Sequence, residues 1–151
     1  MNKKIAVPSD IKPVKRGEIY DADLPEDEIG SVQAGRRPVL ITQSNWLNRK
    51  SPTVIVAMVT TKIKNPGMKT HVVIPMRKGL RQDSMVMTEQ RKTISKTQLL
   101  EHRCTLDKSE MKAVKRACSA SECDDADPKQ RRSRSSADRM CDFEKRIINR
   151  N

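Results

Sequence analysis

Thr53-Val54-Ile55-Val56-Ala57-Met58-Val59-Thr60-Thr61 is the stretch on which the fold turns. β-Branched residues dominate it. They are stiff at χ1 and pack well on a pleated surface, so the run predicts the strongest strand of the chain. Upstream, Pro38-Val39-Leu40-Ile41-Thr42-Gln43 is a short, largely apolar run that suits a buried strand. Glu18-Ile19-Tyr20-Asp21-Ala22-Asp23-Leu24 sets apolar residues among acids and reads as an edge strand. Downstream, Thr70-His71-Val72-Val73-Ile74 and Ser84-Met85-Val86-Met87-Thr88 read as two more strands. Ser44 to Arg49 predicts one helical turn packed by Trp46 and Leu47. Pro25 to Arg37, with Gly30 and Gly35, is a polar loop long enough to serve a function, and a second loop, Lys62 to Lys69, carries the turn signal Pro66-Gly67.

Helical signals come late. Thr93-Ile94 leads into a short helix capped by Ser95, with Leu99 and Leu100 as its buried residues. A second helix follows Leu106, because Asp107 with Glu110 three positions on forms a capping box. Met111, Val114 and Cys118 then make an apolar stripe expected to face the core. The sum is a mainly β fold with small helices, five or six short strands forming a partly open barrel of about 105 residues, an ordinary domain size. The expected organisation is a flexible N-terminal arm over 1–14, the barrel over 15–120, and a polar, basic, disordered tail over 121–151. That tail carries Arg131-Arg132-Ser133-Arg134-Ser135-Ser136, has too little apolar content for a core, and ends in a weak helix around Phe143 to Ile148.

Charge narrows the function. The 151 residues hold 31 Lys+Arg against 19 Asp+Glu, a formal net charge of +12. Such a surplus makes a polyanion the first partner to consider, since basic side chains neutralise phosphates and release counterions. Tyr20, Trp46 and Phe143 are the only aromatics, which argues against stacked-base platforms and for phosphate and base-edge contacts. Cys104, Cys118, Cys123 and Cys141 contain no C-x-x-C pair, so free thiols and no metal are expected. Met1 to Asp10 lacks an apolar signal region, and no apolar run approaches about 18 residues, so a soluble, cytoplasmic protein without a membrane partner is expected.

No Walker motif, H-E-x-x-H or G-x-S-x-G is present, and neither histidine has triad-like spacing. One chemistry remains open to a basic protein without a nucleophile of its own. The ribose 2′-OH can attack its own phosphodiester, and the protein need only orient the phosphate, stabilise its charge and help move two protons. Arg37 and Thr60 suit that task. Pro38 biases Arg37 towards extended geometry, so the sheet anchors a guanidinium fork that matches a phosphate bidentately. The Thr60 hydroxyl sits at the end of the strongest strand with a stiff χ1. On composition alone the bland alternative, a surface arginine and a strand-forming threonine, is favoured.

A resemblance changes that balance. Val14-Lys15-Arg16-Gly17-Glu18-Ile19-Tyr20 resembles the opening of MazF/PemK toxins. Gly30-Ser31-Val32-Gln33-Ala34-Gly35-Arg36-Arg37-Pro38-Val39-Leu40-Ile41 resembles that family's diagnostic G-x-E-Q-x-G-x-R-P-V segment, with Val32 where many relatives carry Glu. Asn48-Arg49, Ser51-Pro52-Thr53, Thr70-His71-Val72, Asp83-Ser84 and Glu89-Gln90-Arg91-Lys92-Thr93-Ile94 follow in the expected order. The resemblance implies an SH3-like barrel of the CcdB/MazF type, acting as a homodimer. It implies a type II toxin that cleaves single-stranded RNA, chiefly mRNA, at a short sequence, leaving a 2′,3′-cyclic phosphate and a 5′-OH, without cofactor. The implied partner is an acidic MazE-like antitoxin, with operator DNA reached only through it. The family's catalytic pair falls on Arg37 and Thr60. RNA contacts fall on Ser31, Gln33, Arg36, Thr61, Lys62, Lys64, Lys69, Glu89 and Gln90. Two other readings compete: a non-catalytic nucleic-acid-binding module and a CcdB-like gyrase poison on the same barrel.

Overall fold

A computed structural model describes residues 13–25 and 35–123 of the chain. The chain divides into two units, Met1–Ser121 and Glu122–Asn151. Every strand belongs to the first. Of the expected arm only Pro13 and Val14 are described, and Val14 is buried in the core. Of the expected tail only residues 121–123 are, and Ser121 and Glu122 continue the last helix, because that helix runs past the end of its apolar stripe. The remainder of both, the weak helix and most of the first loop lie outside the described residues.

Six strands form one antiparallel sheet: β1 (Glu18–Leu24), β2 (Gly35–Ile41), β3 (Thr53–Thr60), β4 (His71–Ile74), β5 (Ser84–Ser95) and β6 (Leu99–Thr105). Their order is β4-β5-β3-β2-β1-β6. Helix α1 (Asn45–Asn48) joins β2 to β3, and α2 (Lys108–Glu122) follows β6. The fold is mainly β and its sheet is not closed, as expected, with β4 and β6 at the two edges.

The strongest predicted strand is β3, and it lies inside the sheet between β2 and β5. Side chains alternate across a strand, so β3 feeds two cores. Val54, Val56 and Met58 join Tyr20, Ala22, Leu24, Val39 and Ile41 on one face. Ala57 and Val59 join Ile19, Leu40, Ile74, Val86 and Val114 on the other. The capping box of α2 forms as read: the Glu110 N–H donates to Asp107 Oδ1 at 2.8 Å and the Asp107 N–H to Glu110 Oε2 at 2.9 Å. Val114 is fully buried, while Met111 and Cys118 pack against the same cluster.

Four local expectations are corrected. β1 is no edge strand; it is paired on both sides, to β2 and β6. The cause is β6 itself: Leu99 and Leu100 begin a strand, not the buried face of a helix, and Leu100 is 38% exposed. Ser95 does cap, with Gln98 completing a capping box, but over a single 3₁₀ turn, Lys96–Gln98. β5 runs on to Ser95, far past Thr88. Finally, α1 does not pack through Trp46 and Leu47, which are 58% and 39% exposed. It packs through Asn48, whose side chain accepts from Gln43 Nε2 at 3.0 Å and whose carbonyl accepts from the Lys96 ammonium. Burial lowers the Lys96 pKa, since the charged form loses water.

The segment between β4 and β5 spans the sheet to reach β6. Arg77 and Leu80 exchange backbone hydrogen bonds, and Gly79 sits between them at φ +95°. A Cβ on Gly79 would stand 1.9 Å from the Arg103 carbonyl oxygen, so backbone lies against backbone. The Arg77 guanidinium grips the Glu110 carboxylate bidentately, which ties the same segment to α2.

Candidate nucleic-acid interface

Strand register puts Arg37 and Thr60 on one face of neighbouring strands, just beyond the last pair of the ladder. β2 and β3 pair as Val39↔Met58, Leu40↔Ala57 and Ile41↔Val56. Continued two residues toward the end of the sheet, that register sets Arg37 opposite Thr60. Parity agrees: Arg37 shares a face with Val39 and Ile41, and Thr60 with Val54, Val56 and Met58. Pro38 withholds an N–H from the ladder at this point. Arg37 is exposed and Thr60 half-buried. Across the sheet Arg37 faces Ala22 on β1, and Thr60 faces Met85 on β5, so flat apolar neighbours flank the pair. The Thr60 oxygen accepts the Lys62 N–H at 3.1 Å, which fixes the hydroxyl and leaves its proton to donate.

The loop after β3 adds charge beside this pair. Lys62, Lys64 and Lys69 are exposed, and no acid occurs from Thr61 to Lys69. His71 shapes this loop: Nδ1 meets the Asn65 carbonyl at 2.9 Å and Nε2 meets Glu89 Oε1 at 2.9 Å. Two acceptors facing both ring nitrogens favour the imidazolium, which alone donates twice. Burial opposes the charged ring, but the hydrogen bonds to Glu89 and Asn65 prevail and raise the His71 pKa above 6.5. Glu89 is also desolvated, yet hydrogen bonding, including that from His71, lowers its pKa below 4.5. A raised His71 pKa stabilises the clamp fully below pH 6.5 and loses that contribution as pH rises through the folded value. A lowered Glu89 pKa contributes above pH 4.5 and is lost as pH falls through its folded value. Hydrogen exchange of the loop amides should therefore be slowest between those limits and accelerate in alkali. Exchange that ignores pH once the intrinsic rate is removed, or that is unchanged in His71→Gln, would refute the clamp.

Other expected contacts part company with this site. Ser31 and Gln33 lie outside the described residues. Arg36 falls on the opposite face from Arg37, where Nε and Nη2 donate to Asp21 Oδ2 at 3.2 and 3.1 Å and Nη2 also reaches Glu101 at 3.3 Å. Its first role is structural. Thr61 is exposed on that same opposite face. Glu89 and Gln90 stand in a bulge of β5, where Ala57 pairs with Arg91 but Met58 with Met87, leaving Thr88, Glu89 and Gln90 without β3 partners. Glu89 is engaged by His71, whereas Gln90 is exposed on the bulge.

Sequence reading missed Asp21. Its side chain is 1% exposed and serves both Arg36 and Arg103, the latter through Nη2 at 2.7 Å. Burial alone would raise its pKa, but hydrogen bonds from Arg103 and Arg36 outweigh it and hold the carboxyl below its ordinary 3.8. Its stabilisation is therefore present above pH 3.8 and is lost as pH falls through the lowered value. Asp21→Ala should cost about 3 kcal/mol, toward the low end for a broken buried pair because both arginines reach water. Urea unfolding at pH 7 checks this; a midpoint equal to that of the parent would refute the shared anchor. The signal available in the sequence was an acid flanked by alternating apolar residues, but its partners lie 15 and 82 residues away.

Cys104, Cys118 and Cys123 are free, and burial pushes the Cys104 thiol up. Cys141 lies outside the described residues. Among the described residues no His, Cys, Asp and Glu side chains gather into a metal-holding group, and no helix is long and apolar enough to cross a membrane.

An exposed arginine and a strand-end hydroxyl thus share one face of an antiparallel sheet, beside a lysine-rich loop. The chain belongs to the family described as PemK-like, MazF-like toxins of type II toxin-antitoxin systems, whose model matches residues 15–121. It is 43% identical over 105 residues to the endoribonuclease EndoA of Bacillus subtilis (strain 168), covering 69% of this chain and 90% of that protein. Among solved structures it resembles the Mycobacterium tuberculosis toxin MazF-mt6, with 27% identity, a TM-score of 0.58 and coverage of 69% of this chain and 94% of that one. A mycobacterial endoribonuclease in complex with its cognate antitoxin matches with 22% identity and a TM-score of 0.58, over 72% of this chain and 93% of that one, a likeness of fold.

Proposed function

We propose that this chain is the toxin of a type II toxin–antitoxin pair and cleaves single-stranded RNA at a short sequence, with Arg37 and Thr60 as its catalytic residues. The observation that carries the reading is the β2–β3 pairing, which runs to Val39↔Met58 and leaves Arg37 and Thr60 two residues further along the same face. In this reading Arg37 spans the non-bridging oxygens of the scissile phosphate and Thr60 donates to one of them. The adjacent 2′-OH attacks phosphorus, the bond to the 5′-oxygen breaks, and the products carry a 2′,3′-cyclic phosphate and a 5′-OH. A guanidinium stays protonated at ordinary pH, so Arg37 stabilises the growing charge through hydrogen bonds, one of them to the leaving oxygen; the 2′ proton passes to water as the hydroxyl attacks, and the leaving 5′-oxygen takes one proton from water, so the proton count balances. Because the nucleophile belongs to the substrate, the chemistry asks for no metal.

Lys62, Lys64 and Lys69 supply the phosphate contacts around the site, Ser31, Gln33, Glu89 and Gln90 are the candidates for base contacts, and Thr61 meets the strand from the opposite face. The protein acts in the cytoplasm as a homodimer. Its inhibitor is an acidic, MazE-like antitoxin that competes for the basic groove, and operator DNA is reached only through that partner. The relatives named endoribonuclease and the antitoxin-bound fold neighbour support this reading. Incubation with a long transcript in excess EDTA tests it. Discrete fragments with 5′-OH ends are expected. Intact RNA of retarded mobility would instead favour a binding module, and intact RNA with inhibited gyrase a CcdB-like poison.

A further inference from the structure

The strands that present Arg37 and Thr60 on one face present Pro38 and Thr61 on the other. There the sheet end opens into a cleft of about 410 Å³, lined by Pro38, Thr61, Gln82 and Ser84 with two guanidiniums, Arg81 and Arg103, over Leu80. Its size lies within the range of small-ligand sites. Among the described residues no carboxylate lines it.

The cleft is a built feature. Its outer wall is the segment from β4 to β5, held by the Gly79–Arg103 backbone approach, the Arg77–Glu110 pair and the Met76 N–H, which donates to Asp83 Oδ1 at 2.7 Å. Arg103 is aimed by Asp21. That carboxylate also serves Arg36, whose Nη2 reaches Glu101 as well. Among the described residues the Arg103 Nε is a buried donor without a partner. Arg81 is exposed at the opposite lip. Forks of this kind match the oxygens of a phosphate. The Ser84 hydroxyl already donates to the Gln82 carbonyl at 3.1 Å, so the donors left for an anion are the arginines, Thr61 and the Gln82 amide.

We propose that this cleft holds a second phosphate of the RNA strand whose scissile linkage lies over Arg37 and Thr60, the strand bending round the ends of β2 and β3 from one face to the other. The proposal rests on the RNA-cleaving reading and extends it with an anchoring subsite. Position favours RNA over another polyanion: Pro38 and Thr61 directly follow the two catalytic residues in sequence, so one chain of closely spaced phosphates can occupy both places. The anchor fixes the strand without reading its bases.

Arg81→Ala tests it, since Arg81 is exposed and belongs to no part of the Asp21 anchor. On a long transcript the variant should raise KM about tenfold, leave kcat near the parental value and reduce the salt slope of RNA binding by about one. Arg81→Lys should restore part of the affinity. On an oligonucleotide too short to leave the Arg37 face, parent and variant should behave alike. Parental KM and salt slope on long RNA would overturn the proposal while leaving the cleavage reading in place. Binding is also measured on uncut RNA with Arg37→Ala as the background; Arg81-dependent affinity there, in a protein whose parent never cuts, would sink the cleavage reading and keep the phosphate subsite. Loss of affinity for a synthetic glutamate-rich peptide, with RNA affinity unchanged, would assign the cleft to a protein partner and overturn the proposal. Saturation by inorganic phosphate with no effect on RNA affinity would also overturn it, as a site for the free ion.

Discussion

Arg37→Ala should lower the rate of RNA cleavage by about 10²–10³-fold or more while the protein stays folded and still binds RNA. The size of the loss reflects what the side chain does. A preorganised donor aimed at charge that develops in the transition state contributes far more to kcat than to ground-state binding. The fold should tolerate the change, because Arg37 is exposed and β2 is held by its pairing to β1 and β3 and by Val39, Leu40 and Ile41, each fully buried. Affinity should fall only in part, since Lys62, Lys64 and Lys69 remain. Arg37→Lys should recover little, because an ammonium cannot span two phosphate oxygens as a fork does. Single-turnover cleavage of a labelled transcript, beside circular dichroism and a mobility-shift titration, decides the matter. Cutting at the parental rate by the purified alanine variant would remove Arg37 from the chemistry.

Gly79→Ala should cost about 3 kcal/mol and detach the segment between β4 and β5 from β6. Two penalties combine. The backbone angle of +95° is one that side-chain-bearing residues rarely adopt, and the new Cβ would fall 1.9 Å from a carbonyl oxygen that is itself fixed in β6. No flexible side chain can yield, so the segment must lift. The Arg77–Glu110 pair, Leu80 and the Arg81 lip would move with it. Urea unfolding should show a lowered midpoint, and the Arg77 and Leu80 amides should exchange faster. A Gly79→Ala protein with parental stability and protection would mean that the close approach to Arg103 does not exist in solution.

The elements legible in the sequence were those whose signals are local. β3 announced itself by its β-branched run, and α2 by Asp107 and Glu110, because propensity and capping act within a few residues. Arg37 and Thr60 could be nominated because each stands at a strand end beside a loop. β6 was illegible for the opposite reason. Leu99–Thr105 has only Cys104 fully buried, so it shows no alternation, and what makes it a strand is pairing with β1 some eighty residues earlier. The second half of β5 was hidden likewise, since Glu89, Gln90, Arg91 and Lys92 read as a polar loop. Arg36 and Arg37 look equivalent side by side, yet the pleat sends one to Asp21 and the other to the opposite face. Only the register could separate them.

The bulge in β5 carries a consequence for how this protein can diverge. The ladder on either side of Thr88, Glu89 and Gln90 is complete without them, so a new side chain at Gln90 shifts no strand and opens no void. Side chains at this protruding knuckle can thus change from lineage to lineage while the strands and cores beneath it stay as they are.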